Sequence, residues 1–281
     1  MTFNFLMQNL VNALQWGSFY ALIALGYTLV YGVLRLINFA HGDIFMVGAY
    51  IAFFVATFAL TALGLPGWAA LALTIPLTMI LTSCVGVALE RVAYRPLRQK
   101  GAHRLYVVIT ALMCGLILEN GNLALLGASR KAFPSMITET VYNIGGVSFT
   151  NLKVAVIIAP FLFFFLLQTI VTRTRVGMAM RAISYDKFAI PLMGIPMDNI
   201  IVITFVLGSG FAGLAGLLFA LGGWQAGGGV WIHAKAALAQ VLIHRAWAEE
   251  GRKRMAYDIL GNQGSHRPMG ICGSLKSGPA W

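Results

Sequence analysis

The chain has 281 residues, of which 59% are hydrophobic and only 10% charged, and its formal net charge is +11. A water-soluble domain of this length needs far more charged surface and cannot hide so much apolar area in one core, so the solvent is lipid. The positive charge then reads as Lys and Arg anchoring loops beside anionic headgroups, not as a nucleic-acid footprint.

Several stretches reach the ~18–20 apolar residues that a helix needs to cross a bilayer. The N-terminus lacks a basic n-region and a small-residue cleavage site, so it is expected to be a retained first helix. That span is expected at about 9–33, with Gly17, Ser18, Ala21, Ala24 and Gly26 among larger residues. Small residues let helix backbones approach closely where lipid supplies no hydrophobic drive. The stretch 35–50, RLINFAHGDIFMVGAY, places Arg35, Asn38, His41 and Asp43 between two apolar segments. Such groups are costly near hydrocarbon, which predicts a cytoplasmic turn whose polar residues fix its geometry. The second helix is expected at about 43–63, ending in LGLPGW. The third is expected at about 68–90, kinked at Pro76.

Next comes a basic loop, 90–105, with Arg91, Arg95, Arg98, Lys100 and Arg104, which the positive-inside rule places in the cytoplasm. The fourth helix, about 106–127, carries Glu119 and Asn120. They read either as interfacial residues near the outer headgroups or as polar residues facing the bundle interior on a translocation path. The segment 128–152 reads as an outward loop with a small hairpin. The fifth helix follows at about 153–172, and then a second cytoplasmic basic segment, 172–197. The sixth helix, about 198–222, repeats Gly208, Ala212 and Gly216 at four-residue spacing, the pattern of a close helix–helix contact. Cys84 and Cys114 lie inside apolar segments and read as buried small hydrophobes without metal spacing.

The expected fold is therefore all-α, a polytopic bundle of about six spans in 1–224, with loops 34–42, 90–105 and 172–197 on one side. After Trp224 the pattern breaks. Residues 225–281 hold seven Lys and Arg against three acidic residues and contain no spanning run. They read as an atypical polar tail: a remnant of further spans after a shifted reading frame, or an authentic interfacial tail.

The block 12–43 (NALQWGSFYALIALGYTLVYGVLRLINFAHGD), the AYRPLR loop at 93–98 and the segment 174–195 together resemble the permease subunits of branched-chain amino-acid ABC importers. The resemblance covers roughly 1–224. It implies an inner-membrane permease without its own ATPase site or cofactor. The implied partners are two cytoplasmic ATPase subunits, a second related permease and a periplasmic substrate-binding protein. Asn38, His41, Gly42 and Asp43 match the family's signature turn. There His41 and Asp43 read as capping the second helix, and Gly42 as allowing a tight approach or a positive φ. Arg175, Gly177, Arg181, Ala182, Ala189 and Gly194 match the ATPase-coupling loop, where Ala179, Ala182, Ala189 and Gly194 would offer a small-residue docking surface. No G-x-x-x-x-G-K-[ST] loop is present, so the chain itself has no phosphate cradle of that kind. Neither an H-E-x-x-H nor a helical Ser/Lys pair points to an intramembrane enzyme. A permease for urea or short amides, an inactive truncated copy, and a transporter working without ATP stay open at this point.

Overall fold

The computed structural model describes residues 3–35, 37–127, 132–137, 140–144, 147–185 and 189–222. The tail 225–281, including Cys272, lies outside the described residues. Nine helices and a two-stranded hairpin are found among the described residues: α1 Phe3–Leu34, α2 His41–Thr61, α3 Gly67–Leu89, α4 Arg95–Gln99, α5 Arg104–Leu126, β1 Val141–Ile144, β2 Val147–Thr150, α6 Asn151–Arg173, α7 Arg175–Tyr185, α8 Ala189–Leu192 and α9 Met197–Leu221. Six of them (α1, α2, α3 with its continuation to Gln99, α5, α6 and α9) are long and apolar enough to cross a membrane. At 1.5 Å per residue, the 32-residue α1 is about 48 Å long and outreaches a ~30 Å hydrocarbon core.

Helix α9 is the axis of the bundle, packed against α1, α2 and α3. Its run from Gly208 to Leu221 is wholly buried, although glycine is a poor helix former in water. The close approach explains the composition. A Cβ on Gly216 would stand 2.7 Å from the Ala49 nitrogen and the Phe45 carbonyl oxygen of α2. One on Gly208 would stand 2.6 Å from Val30 Cγ2 and 3.1 Å from the Gly26 carbonyl oxygen of α1. Ala212 between them is fully buried. On α3, Thr74, Thr78 and Thr82 lie on one buried face. Thr74 and Thr82 donate to the carbonyls of Ala70 and Thr78, which satisfies their hydroxyls within the helix. Ser83 Oγ crosses instead to α9 and donates to the Val206 carbonyl at 2.8 Å. Such interhelical hydrogen bonds and small-residue contacts are the available adhesives in lipid.

Helices α5 and α6 lie at the margin and expose most of their large apolar side chains, among them Leu112, Ile117, Leu125, Phe161 and Phe165. In lipid that exposure is ordinary. Cys84 corrects an expectation: it is exposed on the α3 surface, not buried, whereas Cys114 is half-buried.

The connections gather at two poles. At the first, Ser148 N–H donates to Gln8 Oε1 (2.9 Å) and Lys153 Nζ to Asn12 Oδ1 (3.2 Å), tying the hairpin and the start of α6 to α1. In the hairpin Tyr142 pairs with Phe149. Met136 packs with Ala56, Ala59 and Ala70 at the α2–α3 turn. At the other pole lie the segments 35–40, 90–103 and 174–196. The second of these is not a loop as far as Gln99: α3 runs on through a π-helical turn, Glu90–Tyr94, into α4. Only then does the chain turn, with Gly101 at φ +62°.

Candidate functional site

The polar residues of the second pole form one connected arrangement. Helix α1 ends where Arg35 N–H bonds the Tyr31 carbonyl (2.8 Å), and Arg35 takes φ +52°. A positive φ is uncommon in a non-glycine residue and marks a tight reversal. Gly42, read from the sequence as allowing a tight approach or a positive φ, lies in the first turn of α2 and does not take the positive φ. Asn38 is buried, and its Oδ1 accepts two hydrogen bonds: the Ala40 N–H at 3.1 Å and the Tyr94 hydroxyl at 2.7 Å. The side chain that shapes the turn is therefore Asn38, and it fastens the turn to the π-helical segment.

His41 and Asp43 are both about 1% exposed. The His41 ring stands edge-on to Tyr27, centroids 5.9 Å apart, and Tyr27 stacks on Tyr31 at 6.4 Å. A Cβ on Gly26 would lie 3.0 Å from His41 Cε1 and 2.7 Å from the Gly208 carbonyl oxygen. His41 therefore sits where α1 and α9 cross, and its Nε2 has no hydrogen-bond partner among the described residues. The Asp43 carboxylate lies against Gly115 of α5, where any Cβ would collide with it. An acidic group in a first turn is favoured by the positive end of the helix dipole.

Removing the Asn38 acceptor is expected to cost about 1–3 kcal/mol in Asn38→Ala, because two buried donors lose their partner. Tyr94→Phe leaves the Ala40 bond intact and is expected to cost less. Thermal unfolding of the detergent-solubilised protein measures both, and equal losses would refute the shared-acceptor arrangement.

Two acids that the sequence reading did not single out, Glu90 and Asp198, complete the pole with Arg95 and Arg98 of the basic run. Glu90 is fully buried, Arg98 Nη2 reaches its Oε1 at 3.0 Å, and the same guanidinium reaches Asp198 Oδ1 at 2.7 Å. Arg95 Nη2 meets Asp198 Oδ2 at 3.3 Å. The available signal was an acid at each of two helix ends beside a basic run, which in sequence reads only as capping.

The segment 174–196 hangs from α6 by a corner. Thr174 Oγ1 accepts from the Gly177 N–H at 3.1 Å, and Arg181 donates to the Val171 carbonyl. A Cβ on Gly177 would run into the Ile170 and Val171 carbonyls, so this corner requires glycine. Ala179, Met180, Ile183 and Ile190 pack with Val33 of α1 and Ile200 of α9, and Ala182 borders that cluster. The small residues of α7 thus face the bundle. The outward side chains are Arg175, Met178, Arg181 and Tyr185 on α7, with Leu192 and Met193 beyond. Ala189 opens α8, but its side chain lies outside the described ones. Gly194 takes φ +73° with open space around it. On α5, Glu119 is half-buried, while Asn120 is exposed and donates to the Leu116 carbonyl of its own helix at 2.8 Å.

Six helices long and apolar enough to cross a membrane, with a polar pole and a helical appendage, describe a multi-pass membrane protein. Residues 9–242 match the family described as the permease component of branched-chain amino acid transport systems. The high-affinity branched-chain amino acid transport system permease protein BraD of Pseudomonas aeruginosa is 38% identical over 220 residues, 76% of this chain and 71% of the relative. The high-affinity branched-chain amino acid transport system permease protein LivH of Escherichia coli K12 is 35% identical over 222 residues, 77% of this chain and 71% of the relative. A probable branched-chain amino acid transport permease protein LivH from Methanocaldococcus jannaschii is 27% identical over 219 residues, 74% of this chain and 64% of the relative. No solved structure matches. The chain belongs to the branched-chain amino acid permease family, a family of transport components and not of enzymes.

Proposed function

We propose that the chain moves branched-chain amino acids across the inner membrane by alternating access, as one of two related permease subunits. The polar pole is its cytoplasmic side. Two ATPase subunits drive the complex, the 174–196 segment docking into a groove on the ATPase there, and a periplasmic binding protein delivers substrate at the opposite pole. The observation that carries this reading is the family match over residues 9–242. The positive-inside rule supports the orientation, since Arg91, Arg95, Arg98, Arg175 and Arg181 all fall at one pole. In this reading residues 1–224 are the permease domain and 225–281 the atypical tail. Glu119 is the candidate for the translocation path, because Asn120 turns away from the bundle. The exposed apolar residues of α7 and α8, not the small ones, meet the ATPase.

The test is uptake by proteoliposomes holding this chain with its partner permease, the ATPases and the binding protein. Labelled leucine is expected to enter with ATP hydrolysis and to be displaced by excess isoleucine or valine. ATP-driven entry of urea or acetamide instead would favour the amide permease. A correctly assembled complex that moves none of these would identify an inactive copy.

A further inference from the structure

We propose that Asp198 is the positioning residue that passes movement of the 174–196 segment to the signature turn, through Arg98, Glu90 and the π-helical turn. This inference rests on the reading of 174–196 as the ATPase-coupling segment.

Four observations carry it. First, Asp198 is the second residue of α9 and stands four residues beyond Gly194, so it travels with the segment's end. Second, both of its carboxylate oxygens are held from α4, Oδ1 by Arg98 at 2.7 Å and Oδ2 by Arg95 at 3.3 Å. Third, Arg98 does not end the chain of contacts: the same Nη2 holds Glu90 Oε1 at 3.0 Å, and Glu90 is fully buried at the start of the π-helical turn. Fourth, that turn ends in Tyr94, whose hydroxyl donates to Asn38 at 2.7 Å, the residue that shapes the α1–α2 connection.

A π-helical turn is a rare local widening of a helix, found frequently at functional sites. Here both of its ends are held, Glu90 by Arg98 and Tyr94 by Asn38. A guanidinium is a rigid planar fork, so displacement of one carboxylate is felt by the other. The Arg95–Asp198 pair is more than one-third exposed, which suits a contact that breaks and re-forms and not one that mainly adds stability. Glu90 is the opposite case. Its burial makes the Arg98 bond costly to lose, so Arg98 stays with Glu90 and releases Asp198 first.

The experiment uses the full transporter and compares the parent with Asp198→Asn and Asp198→Glu. Uptake of labelled leucine and ATP hydrolysis are measured together, with co-purification of the ATPases as a separate readout. Asp198→Asn is expected to keep the ATPases attached and hydrolysing, while uptake per ATP falls about tenfold, within the range for coupling residues. Asp198→Glu, which keeps the charge, is expected to restore most of it. Parental uptake per ATP in Asp198→Asn would overturn the proposal. Loss of the membrane-embedded protein in Asp198→Asn, but not in Asp198→Glu, would also overturn it by making the pair a folding contact. The underlying coupling reading fails in a different way: the ATPases would then stay bound when the exposed face of α7 and α8 is made acidic.

Discussion

Gly216→Val is expected to remove the folded protein from the membrane extract, the largest stability loss of any single substitution considered. The added carbons would lie 2.7 Å from backbone atoms of both Phe45 and Ala49. Side chains can rotate out of the way, but a helix backbone cannot, so α9 must move off α2. Overpacking commonly costs about 1–3 kcal/mol, and more where backbone is struck. Total stabilities are only about 5–15 kcal/mol, so a cost near the top of that range removes a large share. The control is Gly17→Val, on a stretch of α1 with no atom within 4 Å of the new carbon. It is expected to purify and melt like the parent. Size-exclusion profiles and thermal unfolding in detergent decide the matter. A monodisperse Gly216→Val melting with the parent would show that the α9–α2 crossing is looser than described.

The largest functional loss is expected from Tyr185→Asp combined with Leu192→Asp. These side chains are 91% and 89% exposed, at the pole assigned to the cytoplasm. Apolar side chains standing free beside a packed inner face are the form that an anchor takes before its pocket arrives. Anchor residues carry about 2–4 kcal/mol each, so two lost anchors weaken docking by at least two to three orders of magnitude. The ATPases are then expected to be absent from the purified complex and ATP-driven uptake to disappear. Neither side chain supports the bundle, so expression and melting should not change. Full recovery of the ATPases with the double variant would refute the docking face. Gly194→Val tests a separate effect. With φ +73° and open surroundings, it acts only through backbone strain and is expected to weaken docking less.

The six spans were legible because length and hydropathy alone set them. The expected ranges 43–63 and 198–222 became His41–Thr61 and Met197–Leu221. The hairpin after 128 was legible from its Gly-Gly and flanking β-formers. The faces were harder to read. Ala179 and Ala182 looked like a docking surface because small residues suit any close contact, and sequence does not say which neighbour is close. The positive φ, one of two alternatives read for Gly42, belongs to Arg35, because the α1 terminus, not the α2 start, makes the reversal. The chain of contacts from Asp198 to Asn38 runs through pairings 100 and 56 positions apart. Pairings at that separation leave no periodic trace. Glu90 and Arg98 were visible only as a charge run, and the helix that aligns them passes through a turn that no composition rule predicts.

The position of α9 also sets a timetable for synthesis. Its three main neighbours, α1, α2 and α3, are complete by Leu89, yet α9 begins only at Met197. Ribosomes add about 5–20 residues per second, so this gap of roughly a hundred residues leaves the nascent trio in the bilayer for about 5–20 s. During that interval Gly26, Gly48, Gly86 and the buried threonine face have no α9 to close on. Nascent chains stopped before residue 197 should therefore be prime substrates for membrane proteases, and chains released after Leu221 should escape them. The helix made last of the six spans is thus the one that ends the protein's period of greatest risk.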